Sequence, residues 1–188
     1  SGASADARIA NPLALNMYLL GYNSRKKLVS VNQAVKENLR TYLGQYRMIT
    51  DAINLKDAFV INIGVKFNIL TKPTANKNEV LTRAIEEVKT FFDIDRWQIN
   101  QPIVMSDLVY KLSLVDGVSG VVPPKEDNLA SNPIIITNKY KTADGYSGNL
   151  YDIDSATKNG VIYPSLDPSI FELKFPASDI EGRVVGDY

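Results

Sequence analysis

Two acidic pairs, Asp93-x-Asp95 and Asp152-x-Asp154, have the spacing best suited to chemistry in this chain. Carboxylates two residues apart can both reach a hard cation, and Ca²⁺ takes several carboxylate oxygens. Neither pair stands in a full EF-hand loop with its glycine and closing glutamate. Asp93 and Asp95 also follow a helical pattern directly, where acidic turns are common, so no metal is expected at either pair. Two acids about 5–10 Å apart across a sugar cleft could cleave a glycosidic bond. The chain carries 21 acids, and nothing in their order singles out such a pair. There is no histidine and no cysteine. Their absence removes most zinc sites, thiol nucleophiles and Ser-His dyads, and it rules out disulfides. Lysine- or tyrosine-based acid–base work remains open, but no residue directs it. The chain is therefore expected not to be an enzyme, with no cofactor, no metal and no small-molecule substrate.

The charges balance at 21 against 21. Nonspecific nucleic-acid binding needs a basic surface that releases counterions, so it is not expected here. The run Arg25-Lys26-Lys27 reads as a solvated turn. Hydrophobic residues make up 45%, enough for a core, and no apolar run approaches the ~20 residues of a membrane span. The chain opens on Ser1-Gly2-Ala3-Ser4-Ala5 without a methionine. That reads as a flexible linker or tag remnant over residues 1–12, and the chain as a fragment of something longer.

The elements that would position any site are led by one long strand. From Phe59 to Ile69, Phe59, Ile61, Ile63, Val65, Phe67 and Ile69 alternate with Val60, Asn62, Gly64, Lys66 and Asn68. Period-two alternation sends one set to a core face and the other to a polar face. On that register Ile63→Asp should unfold the chain, and Asn62→Asp should be nearly silent. A shorter strand is expected over residues 13–20. A helix follows, capped by Ser30 and carrying Val31, Ala34, Val35, Leu39, Tyr42, Leu43 and Tyr46 on its inner face, with Gly44 as a left-handed terminator. Asn76 with Glu79 resembles a capping box for a second helix, which carries Val80, Leu81, Ala84, Ile85, Val88, Phe91 and Phe92. A third helix over about 105–114 turns Met105, Leu108, Val109 and Leu112 inward. Gly117 is expected to end it with positive φ, ahead of a short strand to Val122. Past Pro123-Pro124 the chain turns polar, with a strand at Ile134-Ile135-Ile136, a turn at Asp144-Gly145 and a hairpin tip at Asn159-Gly160. Together these predict an α+β fold: a mixed β-sheet with helices on one face. The core domain spans 13–122, and a β-rich, loop-rich extension over 123–188 packs on it.

The order of these elements resembles a known family. Met17-Tyr18-Leu19-Leu20-Gly21 precedes a helix with Asn38-Leu39-Arg40-Thr41-Tyr42-Leu43. Tyr46-Arg47-Met48-Ile49-Thr50-Asp51 then runs into the long strand, and Ser106-Asp107-Leu108 and Val115-Asp116-Gly117-Val118 follow. This is similar to the C-terminal part of the baseplate J-like family of contractile phage tails, within it the wedge proteins of T-even-type phages. The stretch Tyr163-Pro164-Ser165-Leu166-Asp167-Pro168-Ser169-Ile170-Phe171-Glu172-Leu173 resembles that narrower group. The resemblance implies a virion structural protein of the tail baseplate, assembled in the host cytoplasm. Its partners would be itself, as a homodimer or ring contact, and other baseplate wedge proteins, closing a ring around the tail tube. It implies no catalytic residues.

The residues suggest where such a contact could form. Tyr163, Leu166, Ile170, Phe171 and Phe175 follow the completed core elements and form the candidate self-association surface. The bland alternative is that they cover the subunit's own sheet. Tyr140, Tyr146, Tyr151 and Tyr163 cluster in the polar extension, and interface roles are expected for some of them, since tyrosine gives large rigid contact area at low entropy cost. Trp97 is expected in the core beside Ile94 and Ile99, with an interface role as the alternative. Two other functions stay open: a heterologous protein-binding module of a contractile injection machine, and a carboxylate-dependent cell-wall hydrolase.

Overall fold

Alternating apolar residues from Phe59 to Ile69 need a strand with a buried face, and the chain builds its main sheet around that strand. The structure, a computed structural model, describes residues 15–46, 52–124 and 132–186. The linker expected over 1–12 lies outside the described residues, as do Leu13 and Ala14 of the first expected strand. The chain divides into two compact units, Ser1–Ala58 and Phe59–Tyr188.

The first unit contains β1 (Leu15–Leu19), a small hairpin of β2 (Gly21–Tyr22) and β3 (Leu28–Val29), helix α1 (Gln33–Gly44) and β4 (Ile53–Asp57). β1 and β4 pair in parallel, with Leu15 opposite Ile53. The helix begins later than expected. Asn32, not Ser30, is its cap, its side-chain oxygen accepting from Ala34 N at 2.8 Å. The cause lies at the end of β4. Asp57 accepts from Val31 N at 3.1 Å and pairs with the Lys36 ammonium at 2.8 Å, which fixes the chain entering the helix. Gly44 does not end the helix in a left-handed turn. It is helical, and Gln45 follows in the right-handed region with its N–H on Tyr42 O. The face expected to point inward carries no buried residue, and Val35, Tyr42 and Tyr46 are exposed.

The second unit is organised by β5 (Phe59–Thr71). Its other elements are α2 (Lys77–Phe91), β6 (Ile103–Val104), α3 (Met105–Ser113), β7 (Val118–Val122), β8 (Ile134–Asn138), α4 (Ile153–Ala156), β9 (Thr157–Lys158), β10 (Val161–Ile162), β11 (Ser169–Glu172), α5 (Pro176–Asp179) and β12 (Ile180–Val184). β8 and β7 pair with β5 antiparallel, β11 and β12 pair with it in parallel, and the sheet is mixed. β8 and β12 both reach Val65–Phe67, so they lie on opposite edges of β5. Lys139 N donates to Asn62 O at 2.8 Å and extends the β8 edge. Glu172 also stands in register with Asn62, so β11 shares the edge of β12. The fold is α+β.

Ile61, Ile63, Val65, Phe67 and Ile69 are all fully buried, as the alternation predicts. α2 packs over this face against β12 and β5. A methyl group at Gly182 would meet both Phe67 and Leu81, so strand and helix are in close contact there. Asn76 caps α2, accepting from Asn78 N at 3.0 Å and Glu79 N at 3.4 Å. Val80, Ala84 and Val88 are its buried stripe, and Met105, Leu108 and Leu112 are that of α3. Trp97 is 7% exposed and packs against Phe91 and Phe92, with ring centroids 5.7 and 5.2 Å away, so it belongs to the core. Gly117 has φ +91°, but α3 already ends at Ser113 with Leu114 as its cap, so the glycine serves the turn into β7 rather than the cap.

The second face of β5 departs from expectation. It is polar in type, yet Asn62 is fully buried and Asn68 nearly so. Residues 139–151 cross over the Asn62 end and supply hydrogen bonds that water would otherwise make. Asn62→Asp is therefore not a silent change, because the buried amide has partners on this face.

Candidate interface

The extension is held to the sheet by a polar cluster centred on Asn62. Its amide nitrogen donates to Glu172 Oε2 at 2.7 Å, and its amide oxygen accepts from Ser147 N at 2.8 Å. Ser147 Oγ and Asn149 Nδ2 both donate to Val60 O, at 2.9 and 2.8 Å. Asn138 donates to Asn62 O at 3.0 Å and accepts from Tyr151 N at 2.9 Å. A buried polar group is tolerated only when it is paired. Glu172, 3% exposed, meets that condition through Asn62. In sequence Phe171 and Leu173 alternate with Glu172, a pattern that reads Glu172 as facing outward, and the amide partner that reverses this lies 110 residues away.

A second anchor sits at α5. The Tyr146 hydroxyl donates to Asp179 Oδ1 at 2.5 Å, and Phe175 N donates to Asp179 Oδ2 at 2.8 Å. Burial, then the hydrogen bond to Asp179 and its negative charge, push the Tyr146 phenol up to about 12. The Tyr146 ring meets Phe175 edge-on at 5.4 Å. Tyr146 is thus an internal strut. Tyr151 donates its hydroxyl to Tyr163 O at 2.6 Å, and burial raises its phenol too. Tyr140 and Tyr163 are the exposed members of the cluster.

The five residues of the candidate surface separate into two groups. Ile170 and Phe171 are buried in β11, in register with Val60 and Ile61, and cover the subunit's own sheet. Tyr163 and Leu166 lie on the loop from Tyr163 to Pro168, and Phe175 sits partly exposed beside Tyr146. Leu166 is fully exposed. The loop bearing it is tied down on both sides. Tyr163 N donates to Ala156 O at 3.1 Å, and Pro168 O accepts from Phe59 N at 2.9 Å. Ser165 N donates to the buried Ser169 Oγ at 3.1 Å, and Ser165 Oγ donates to Asp167 O at 2.9 Å. Asn100 helps from outside, its side-chain oxygen accepting from Ser169 N at 3.1 Å. Leu150, which sequence reasoning missed, is a further exposed leucine, next in the chain to Tyr151.

The acids that could have held a cation act in local turns. Asp93 accepts from Asp95 N at 3.0 Å. Asp152 caps α4, accepting from Ser155 N at 3.1 Å and Ser155 Oγ at 2.6 Å, and these bonds hold its carboxyl below the usual range. Among the described residues no helix is long and apolar enough to cross a membrane. No protein-family model matches the chain, and no curated protein matches it.

Proposed function

We propose that this chain is a structural, self-associating segment of a phage tail baseplate, part of a wedge protein that joins neighbouring wedges into a ring around the tail tube. Its partners are then itself and other baseplate wedge proteins, and its place is the virion. The observation that carries the self-association is Leu166, a fully exposed leucine on a loop pinned at both ends. Burying a leucine side chain is worth about 1.5–3 kcal/mol. A loop already fixed by hydrogen bonds loses little further freedom on docking, so more of that gain survives as affinity. With net charge zero, long-range steering is weak, and apolar anchors must supply the binding energy. The order of elements from Met17 to Val118, and the Tyr163–Leu173 stretch, support the baseplate assignment through their resemblance to the J-like family. Light-scattering mass measured across concentration tests the reading. Twice the chain's 20.8 kDa is expected. A monomer persisting at ~100 μM, weaker than a typical specific interface, contradicts self-association and favours a heterologous partner.

A further inference from the structure

The chain as a whole is neutral, but the described part of its first unit is basic. It carries six cations, Arg25, Lys26, Lys27, Lys36, Arg40 and Lys56, against two acids, Glu37 and Asp57. Both acids are already engaged, Glu37 with Arg40 at 3.1 Å and Asp57 with Lys36 at 2.8 Å. Three of the other cations, Arg25, Lys26 and Lys27, are consecutive and form the tip of the β2–β3 hairpin. Arg25 and Lys26 are exposed, and Lys27 is half-buried. Among the described residues neither Arg25 nor Lys27 forms an ion pair.

The backbone of this tip is fixed by its own bonds. Asn23 Oδ1 accepts from Arg25 N at 2.9 Å and from Lys27 N at 3.1 Å. Lys26 N donates to Asn23 O at 2.9 Å, and Asn23 N donates to Lys27 O at 2.9 Å. Four hydrogen bonds to one residue thus hold the three cationic positions together, and the backbone has little freedom left to lose on docking. Lys26 stands at φ +55°, a left-handed conformation that glycine or asparagine adopts with less strain. The turn by itself does not call for a lysine there, and strain kept at an exposed position points to use of the side chain.

We propose that the β2–β3 tip docks an acidic segment of a partner protein, whose carboxylates meet Arg25 and Lys27. Charge complementarity selects the partner, because the unit's own described acids are spent on Arg40 and Lys36. A nucleic acid would have to continue past the tip along a chain whose charges balance. A short acidic segment needs only the tip. This site lies in the first unit, and it does not depend on the Tyr163–Pro168 loop pairing two copies.

The probe is a rhodamine-labelled synthetic peptide alternating glutamate and serine, added to the full chain. Binding is followed by anisotropy, and NMR amide shifts locate it. The amides of Arg25, Lys26 and Lys27 are expected to move. Binding should weaken as salt rises from ~0.01 M to ~0.15 M, because the screening length falls from about 30 Å to about 8 Å. Arg25→Gln with Lys27→Gln should weaken it roughly fivefold, the scale of two exposed charge pairs. Lys111→Gln with Lys158→Gln removes the same charge from exposed positions of the second unit and should leave binding unchanged. Equal binding by the tip variant and the parent overturns the proposal, and so does failure of the peptide to bind at ~1 mM in low salt. Equal weakening by both double variants would assign the effect to net charge, with the same consequence. A single-stranded oligonucleotide of matched charge is expected to bind more weakly than the peptide. Tighter binding would make nucleic acid the occupant and overturn the proposal.

Discussion

Gly117 shows how much a single position can carry. Its φ of +91° lies where side chains other than glycine's are strained, and an added Cβ would stand 2.4 Å from Val80 Cγ2. Gly117→Val must distort the turn into β7 and push on the buried face of α2. We expect a loss of about 2–4 kcal/mol, combining backbone strain with overpacking, seen as a lower urea midpoint. An unchanged midpoint would show that the turn adapts freely. Tyr146 makes a prediction of a different kind. Its phenol titrates at about 12 in the folded chain against an ordinary 10.0. A raised folded value means that the stability tied to it is complete below pH 10 and is lost as pH climbs from 10 to 12. Tyr146→Phe removes that dependence. The variant's urea midpoint should fall less steeply than the parent's over this window, and parallel curves would contradict the assignment.

At the scale of elements, β5 is buried on both faces where the extension covers it. Ile63→Asp places an unpaired carboxylate in the interior, at a cost of several kcal/mol. Asn62→Asp also removes the donor to Glu172 Oε2 and sets two carboxylates against each other. We expect it to cost about 3–5 kcal/mol, as breaking a buried polar pair does, with both variants losing cooperative unfolding by circular dichroism. A silent Asn62→Asp would mean that residues 139–151 do not lie on the sheet. The features legible in the sequence were local ones. Asn76 capping α2 depends on four neighbouring residues. The β9–β10 hairpin depends on Asn159 and Gly160, whose φ values of 52° and 76° are the two positive angles a tight two-residue turn needs. The period of β5 reads directly from its side chains. What was not legible depends on distant chain. Glu172 looked like an outward residue because nothing near it reveals Asn62. The α1 face looked internal because periodicity shows which face is apolar, not whether anything covers it. Of the candidate surface, Ile170 and Phe171 carry the same β-prone signature whether they form an interface or a sheet interior. Leu166 stands between Pro164 and Pro168, and that flanked turn was the usable sign of exposure.

For the whole molecule, the extension beyond Pro124 supplies β8, β11 and β12 to the sheet around β5, and it also presents the Tyr163–Pro168 loop. Folding and assembly are thus expected to be separable, since buried residues of the extension hold the sheet while Leu166 projects from it. Leu166→Asp tests this most directly, measured by sedimentation equilibrium beside the parent chain, with thermal unfolding as a check on the fold. Losing one buried leucine and desolvating a carboxylate should weaken association by at least ~2 kcal/mol, about thirtyfold. We expect a monomeric variant with an unchanged unfolding transition, at concentrations where the proposed dimer of the parent chain forms. A variant that associates as strongly as its parent would contradict the claim that this loop joins one copy to the next.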